Sequence, residues 1–255
     1  MPLFQVLRPT LPILIGASIM LTLSMGLRQS LGIFMQPLTH GIGISVSDFT
    51  LALAVQNLAW GFLQPLAGGM TVRYGFRPIM LVGSLFYIAG LAMMTCAHGL
   101  VSVLIGAGVL IGTSLACTAA AIAMSVAARA VPETVRSTVM GMVSAAGSLG
   151  ALLSAPIGQL LNEGYGWRIG LAGFVVLALF MLPSAWYAGK VDRIPLPKPG
   201  GDDIGDASAS AAVKTAFSNA SFVVMTCAYM VWACSWYSSP RICRRIWRSA
   251  AWTRC

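Results

Sequence analysis

Residues 11–38 read LPILIGASIMLTLSMGLRQSLGIFMQPL, an apolar run of helical length with one cation, Arg28, set deep inside it. A guanidinium placed in hydrocarbon costs at least about 2.5–3.5 kcal/mol on insertion scales, so such a helix should turn Arg28 toward a bundle interior or a water-filled cavity. The other Lys, Arg, Asp and Glu residues before position 230 can be placed at or beyond the end of an apolar run. Arg28 is therefore the first candidate for function. The bland alternative is that its long side chain snorkels to the outer interface, since Leu38 lies only ten residues on.

Composition widens this reading to the whole chain. Of 255 residues, 57% are hydrophobic and 9% charged, and the mean hydropathy of +0.81 is too high for a soluble domain of this length. A membrane-crossing helix needs roughly 20 apolar residues. Such runs recur at 11–38, 49–70, 79–97, 101–127, 139–161 and 169–187, separated by short polar connections. The expectation is an all-α integral membrane protein with the lipid bilayer as its first partner. Alternating strands of a barrel are not seen. The apolar run after Arg8 is longer than a signal-peptide core and lacks a small-residue cleavage site, so it reads as a retained first span. The net charge of +9 could suggest nucleic acid, but its cations sit in short loops between spans rather than on one soluble face, and a nucleic-acid partner is not expected. The six cysteines form no CxxC pair, and Cys96 and Cys117 lie inside apolar runs as small apolar filler. No metal or other cofactor is expected.

The loop charges then fix an orientation. Arg8, Arg73, Arg77, Arg129, Arg136, Lys190, Arg193, Lys198 and Lys214 fall on one side of a six-span arrangement, against Arg168 alone on the other. By the positive-inside rule both ends of the unit are cytoplasmic, in what is read as a bacterial inner (plasma) membrane. Residues 1–187 form the six-span bundle, and 188–215, rich in Pro, Gly and charge, read as a cytoplasmic linker. Residues 216–231 begin a seventh span. Beyond them 232–255 carry Arg241, Arg244, Arg245, Arg248 and Arg254 where an apolar span and its outer end should stand. Read one base out of register, the tail's codons permit an apolar span and loop, so 232–255 are taken as out of frame and the product as truncated.

An internal echo organises the bundle. Tyr74-Gly75-Phe76-Arg77 recurs 91 residues later as Tyr165-Gly166-Trp167-Arg168, and the same offset carries Pro65 onto Pro156 and Leu58 onto Leu149. The offset maps span 1 onto span 4 and span 2 onto span 5. Because three spans is an odd number, the second copy must be inverted in the membrane, the 3+3 inverted repeat of secondary transporters.

The loop Gly68-Gly69-Met70-Thr71-Val72-Arg73-Tyr74-Gly75-Phe76-Arg77-Pro78 resembles the cytoplasmic loop motif of the major facilitator superfamily, with Gly68, Arg73, Gly75 and Arg77 at its matching positions and Val72 where the family usually has an acid. Arg28-Gln29-Ser30-Leu31-Gly32-Ile33-Phe34 in span 1, Gly147-Ser148-Leu149-Gly150, Pro156, Gln159 and Gly166-Trp167-Arg168 are similar to bacterial members related to monocarboxylate and oxalate/formate carriers. The resemblance covers roughly residues 8–230 and implies the N-terminal half of a twelve-span carrier, six helices plus linker and a partial seventh. It also implies secondary transport of small organic anions, with a proton or a counter-anion as the coupled ion. On this resemblance Arg28 faces the central cavity, where its planar fork of donors matches a carboxylate. Asn57 and Gln64, seven apart on span 2, and Ser114, Thr118 and Ser125 on span 4 are candidates for the cavity wall, with Asn57 and Thr118 named beside Arg28 as substrate-binding. Interhelical hydrogen bonding is the plainer use of such residues. Gly141, Ala145, Ser148 and Gly150 of span 5 suit close helix packing. Two other classes stand against the carrier. A membrane-embedded enzyme would need His, Asp, Glu or Ser/Lys sets within spans, where Arg28 alone is ionisable. A non-transporting product of a disrupted gene would share the carrier's ancestry but not its activity.

Overall fold

The computed structural model describes Arg8, residues 10–194, Ser218 and Val224. The expected linker beyond residue 194, the seventh span and the out-of-frame tail lie outside the described residues apart from Ser218 and Val224. Six long helical stretches follow one another: α1 (Leu11–Ile42), α2 (Val46–Tyr74), α3 (Phe76–Thr95), α4 (Leu100–Ala130), α5 (Glu133–Tyr165) and α6 (Trp167–Arg193). Five of them are long and apolar enough to cross a membrane by length and composition. The other, α2, is 29 residues long, and Gln56, Asn57 and Gln64 lower its hydropathy. A helix diluted in this way suits the inside of a bundle rather than lipid.

The ends follow from local chemistry. Ser45 and Asp48 form a reciprocal capping box at the start of α2, with Asp48 N–H donating to Ser45 Oγ at 3.1 Å and Ser45 N–H donating to Asp48 Oδ2 at 3.0 Å. Gly43, at φ 74°, closes α1, and its N–H donates to Thr39 O at 2.9 Å. Here α1 outruns its expected end at Leu38 and absorbs His40, because this left-handed glycine, rather than the first polar residue, supplies the stop.

The 91-residue echo is visible in the backbone. Gly75 (φ 92°, ψ 167°) ends α2 and Gly166 (φ 82°, ψ 166°) ends α5, each letting the next helix begin one residue later. A Cβ in this region is strained, which is why glycine recurs there. Pro65 and Pro156 fall inside the same two helices. The packing partners exchange as an inverted pair of repeats requires: α1 crosses α5 while α4 crosses α2, and α6 lies on α1 while α3 lies on α4.

Apolar attraction between helices is weak in lipid, so close backbone approach must hold the crossings together. At α1–α5 a Cβ on Gly26 would meet Gly150 O at 2.6 Å, a Cβ on Gly150 would strike Thr22 O, and Thr22 Oγ1 donates to Ala146 O at 2.8 Å. At α4–α2 a Cβ on Gly112 would meet Gln56 O at 2.7 Å. The packing face of α5 is therefore Val143, Gly147, Gly150, Ser154 and Gly158. Of the four residues expected there, Gly150 packs as expected, whereas Gly141, Ala145 and Ser148 lie one helical step around and are exposed.

α4 is not one regular helix. A π-helical segment, Leu104–Leu110, and an extended residue, Ala119 (φ −76°, ψ −168°), interrupt it. The break at Ala119 rotates the last segment of the helix, Ala120–Ala130, relative to the part before it. Ser114 and Thr118 are buried, but Ser125 is exposed, so the expected common face of all three is not formed.

Candidate functional site

Arg28 sits near the middle of α1, about 25 Å along the helix from Leu11 and about 21 Å from Ile42 at 1.5 Å per residue. Three residues later the helix tightens into a 3₁₀ turn, Leu31–Phe34. Gly26, two residues before it, is pressed on Gly150 and Ser154 of α5, which fixes the depth and rotation at which Arg28 is presented. From there the guanidinium reaches across to α2. Its Nη2 donates to Asn57 Oδ1 at 2.6 Å, and its Cζ lies 4.9 Å from the centroid of the Trp60 ring. Asn57 is itself oriented by Nδ2 donating to Leu53 O at 2.9 Å. Both of these partners are neutral. The amide oxygen satisfies one donor, and the indole face attracts the cation through its ring quadrupole.

Two candidates from the sequence are thus brought together, Arg28 and Asn57. The third is not. Thr118 is fully buried, its hydroxyl donates to Ser114 O at 2.9 Å within its own helix, and its Cγ2 stands 2.7 Å from where a Cβ on Gly83 would be. It is the last residue of its helical segment, on the side packed against α3. Trp60, whose ring lies beside the Arg28 guanidinium, is a candidate that the sequence reading misses. Its signal is its spacing, three residues after Asn57 and so on the same helical face. Gln56 is missed too. Its side chain is buried and Nε2 donates to Ala107 O at 3.0 Å, meeting the π-helical segment of α4. Behind Arg28, the Tyr87 hydroxyl of α3 donates to Ser24 O at 3.2 Å.

The loop motif builds a separate structure at one end of the bundle. Asp192, expected in the linker, accepts from the N–H groups of Phe76 (2.9 Å, Oδ1) and Arg77 (2.9 Å, Oδ2) at the start of α3. It sets a carboxylate on the positive end of a helix dipole. Gly75 must lack a Cβ to admit it, since one would lie 2.8 Å from Asp192 Oδ2. The Arg77 guanidinium lies 3.0 Å from the Trp186 ring centroid, and Arg129 Nη2 donates to Ile194 O at 2.9 Å. Gly68 faces open space and Arg73 is exposed beside Tyr74. Asp192 near the end of α6 thus caps the start of α3, and Arg129 of α4 bonds the chain just past α6, so the start of α3 and the ends of α4 and α6 meet in one cation-rich face. Among the described residues no group of three or more His, Cys, Asp or Glu is placed to hold a metal ion.

The chain belongs to the Major Facilitator Superfamily, whose family model matches residues 17–242. It is similar to monocarboxylate transporter 4 of Mus musculus, with 28% identity over 190 residues that cover 74% of this chain and 39% of that protein. Monocarboxylate transporter 11 of Homo sapiens is 30% identical over 165 residues, 63% of this chain and 34% of that protein. A Fujikurins efflux protein of Gibberella fujikuroi is 25% identical over 142 residues, covering 54% and 30%. The chain spans about 39% of the length of the first of these relatives.

Proposed function

We propose that this member of the Major Facilitator Superfamily supplies, through Arg28, the cationic wall of a binding site for small monocarboxylates in a secondary transporter. The observation that carries the reading is a guanidinium at mid-span, held by the Asn57 amide oxygen and the Trp60 ring of the neighbouring α2. Burying an arginine in this way is costly, and an anion that pairs with it recovers that cost through two parallel charge-assisted hydrogen bonds. Asn57 holds the guanidinium edge while the site is empty, and a carboxylate oxygen takes over that acceptor role on binding. Trp60 keeps the guanidinium plane in register. The names of the similar transporters point to the same substrate class.

The face that gathers Arg77, Arg129 and Asp192 lies on the cytoplasmic side in this reading, with α1 running outward from it in a bacterial plasma membrane. The test is equilibrium binding of radiolabelled L-lactate, pyruvate and formate to the purified full chain. Saturable binding of at least one of them, lost on Arg28→Gln, supports the reading. A folded chain that binds none of the three, as a non-transporting product would, contradicts it.

A further inference from the structure

We propose that the groove between α1 and α6 seats one anionic phospholipid, with an acyl chain lying along the groove and the phosphate meeting Lys190 at its mouth. This site is separate from Arg28 and does not depend on it.

The groove has a volume of about 350 Å³ and is lined by Pro12, Ile15 and Ile19 of α1 and Phe180, Pro183 and Tyr187 of α6. That volume lies within the roughly 300–1,000 Å³ typical of ligand pockets. Close contact of the two helices makes its floor: a Cβ on Gly16 would meet Ala188 N at 2.7 Å and Ser184 O at 2.8 Å. Pro183 has no N–H to give the carbonyl four residues back, and α6 is interrupted at Phe180, whose ring is left 58% exposed beside the groove. The Ser184 hydroxyl in the floor donates to Phe180 O at 2.7 Å within its own helix, so it does not ask the occupant for a hydrogen bond. From Pro12 to Ile19 is about 10 Å at 1.5 Å per residue, roughly two-thirds of the hydrocarbon depth of one leaflet. The groove thus has the length of an acyl chain and the chemistry to match.

Its mouth is different. Trp186 and Tyr187, both exposed, stand near the end of α6, where amphipathic rings mark the bilayer interface. Lys190 Nζ lies 4.6 Å from the Tyr187 ring centroid, which brings an ammonium to the edge of the groove. Arg77 lies on the Trp186 ring, Arg193 is exposed one turn beyond Lys190, and Arg8 is exposed four residues before Pro12. The described carboxylates at this end are engaged elsewhere, Asp192 with the Phe76 and Arg77 amides and Glu133 with Arg136 at 3.4 Å. A soluble anion would use the cations but not the groove, and a zwitterionic lipid would use the groove without needing the cations. An amphiphile with a negative head uses both, as basic sites between membrane helices do.

Native mass spectrometry of the purified full chain, titrated in detergent with phosphatidylglycerol and with phosphatidylcholine of the same acyl chains, tests the proposal. One phosphatidylglycerol should bind per chain, preferred over phosphatidylcholine by at least about fivefold, the weight of one cation beside an anionic lipid. Lys190→Gln should bring that preference to about twofold or less. Ile19→Trp, which fills the groove, should weaken phosphatidylglycerol binding, whereas Leu152→Trp on the exposed face of α5, outside the groove, should leave it unchanged. Circular dichroism checks that each variant is folded, and if Ile19→Trp is not, Lys190→Gln decides alone. Equal retention of the two lipids, a preference that Lys190→Gln does not move, or a lipid-free dimer that Ile19→Trp separates, which would seat a second copy in the groove, overturns the proposal.

Discussion

The two repeat-related crossings, α1 on α5 and α4 on α2, solve one packing problem with the large and small residues exchanged. Gly147 of α5 receives Leu21 of α1, its Cβ position lying 3.0 Å from Leu21 Cγ. The offset of 91 carries Leu21 onto Gly112 and Gln56 onto Gly147. Gly112 of α4 in turn lies against Gln56 of α2. Each crossing pairs one glycine with one larger residue, but the glycine changes repeat. The chemistry is not repeated at all. Arg28, Asn57 and Trp60 map onto Ala119, Ser148 and Ala151. Where the first copy holds a guanidinium, the second breaks its helix at Ala119. The duplication supplies a symmetric frame, and side-chain identity places the guanidinium in one half of it only.

The comparison can be broken where backbones touch. Gly150→Leu should have the largest effect, because its side chain would be driven into Thr22 backbone that cannot step aside. A loss of about 3 kcal/mol or more is expected in thermal or denaturant unfolding in detergent. Gly141→Leu on the exposed face of the same helix should change stability by less than about 0.5 kcal/mol. Equal losses would show that the α1–α5 approach is not the constraint described. Gly147→Ala should cost about 1–2 kcal/mol, and Leu21→Ala in the same chain should recover part of it by vacating the space. Purely additive losses would refute the size exchange.

The face near Asp192 yields smaller effects. Asp192→Ala removes the acceptor for two amides at the start of α3 and should cost about 1–2 kcal/mol, with faster hydrogen exchange at Phe76 and Arg77. Asp192→Asn keeps an acceptor but loses the charge on the helix dipole, so its cost should be about half as large. Unchanged exchange in both variants would show that the carboxylate does not hold the helix end.

Much of this is legible in the sequence, for identifiable reasons. Apolar length marks the helices, and the repeated Tyr-Gly-aromatic-Arg marks the inverted duplication, because a left-handed glycine between abutting helices leaves a local trace. Arg28 stands out because a charge in an apolar run has no cheap alternative. Asn57 is expected on the same cavity wall, its hydrogen bond to Arg28 is not, and Trp60 escapes notice because an aromatic in a span reads as packing. Ser125 leaves the face of Ser114 and Thr118 because face arithmetic assumes a continuous helix and nothing local announces the extended residue at Ala119. Thr118 packs on α3 because periodicity gives a face but not which neighbour covers it. Asp192 reads as linker because its partners, Phe76 and Arg77, lie more than a hundred residues away. Long-range capping leaves no pattern in the sequence.

The asymmetry of charge between the two repeats is the central claim, and equilibrium binding of L-lactate to three forms of the full chain tests it most directly. Wild type should bind saturably, and Arg28→Gln should bind at least about 100-fold more weakly, the loss expected when a buried charge-assisted pair is truncated. Arg28→Gln with Ala119→Arg, which moves the cation to the related position without the partners Asn57 and Trp60, should not recover binding. Undiminished lactate binding by a folded Arg28→Gln chain, or recovery with the arginine at position 119, would contradict the account.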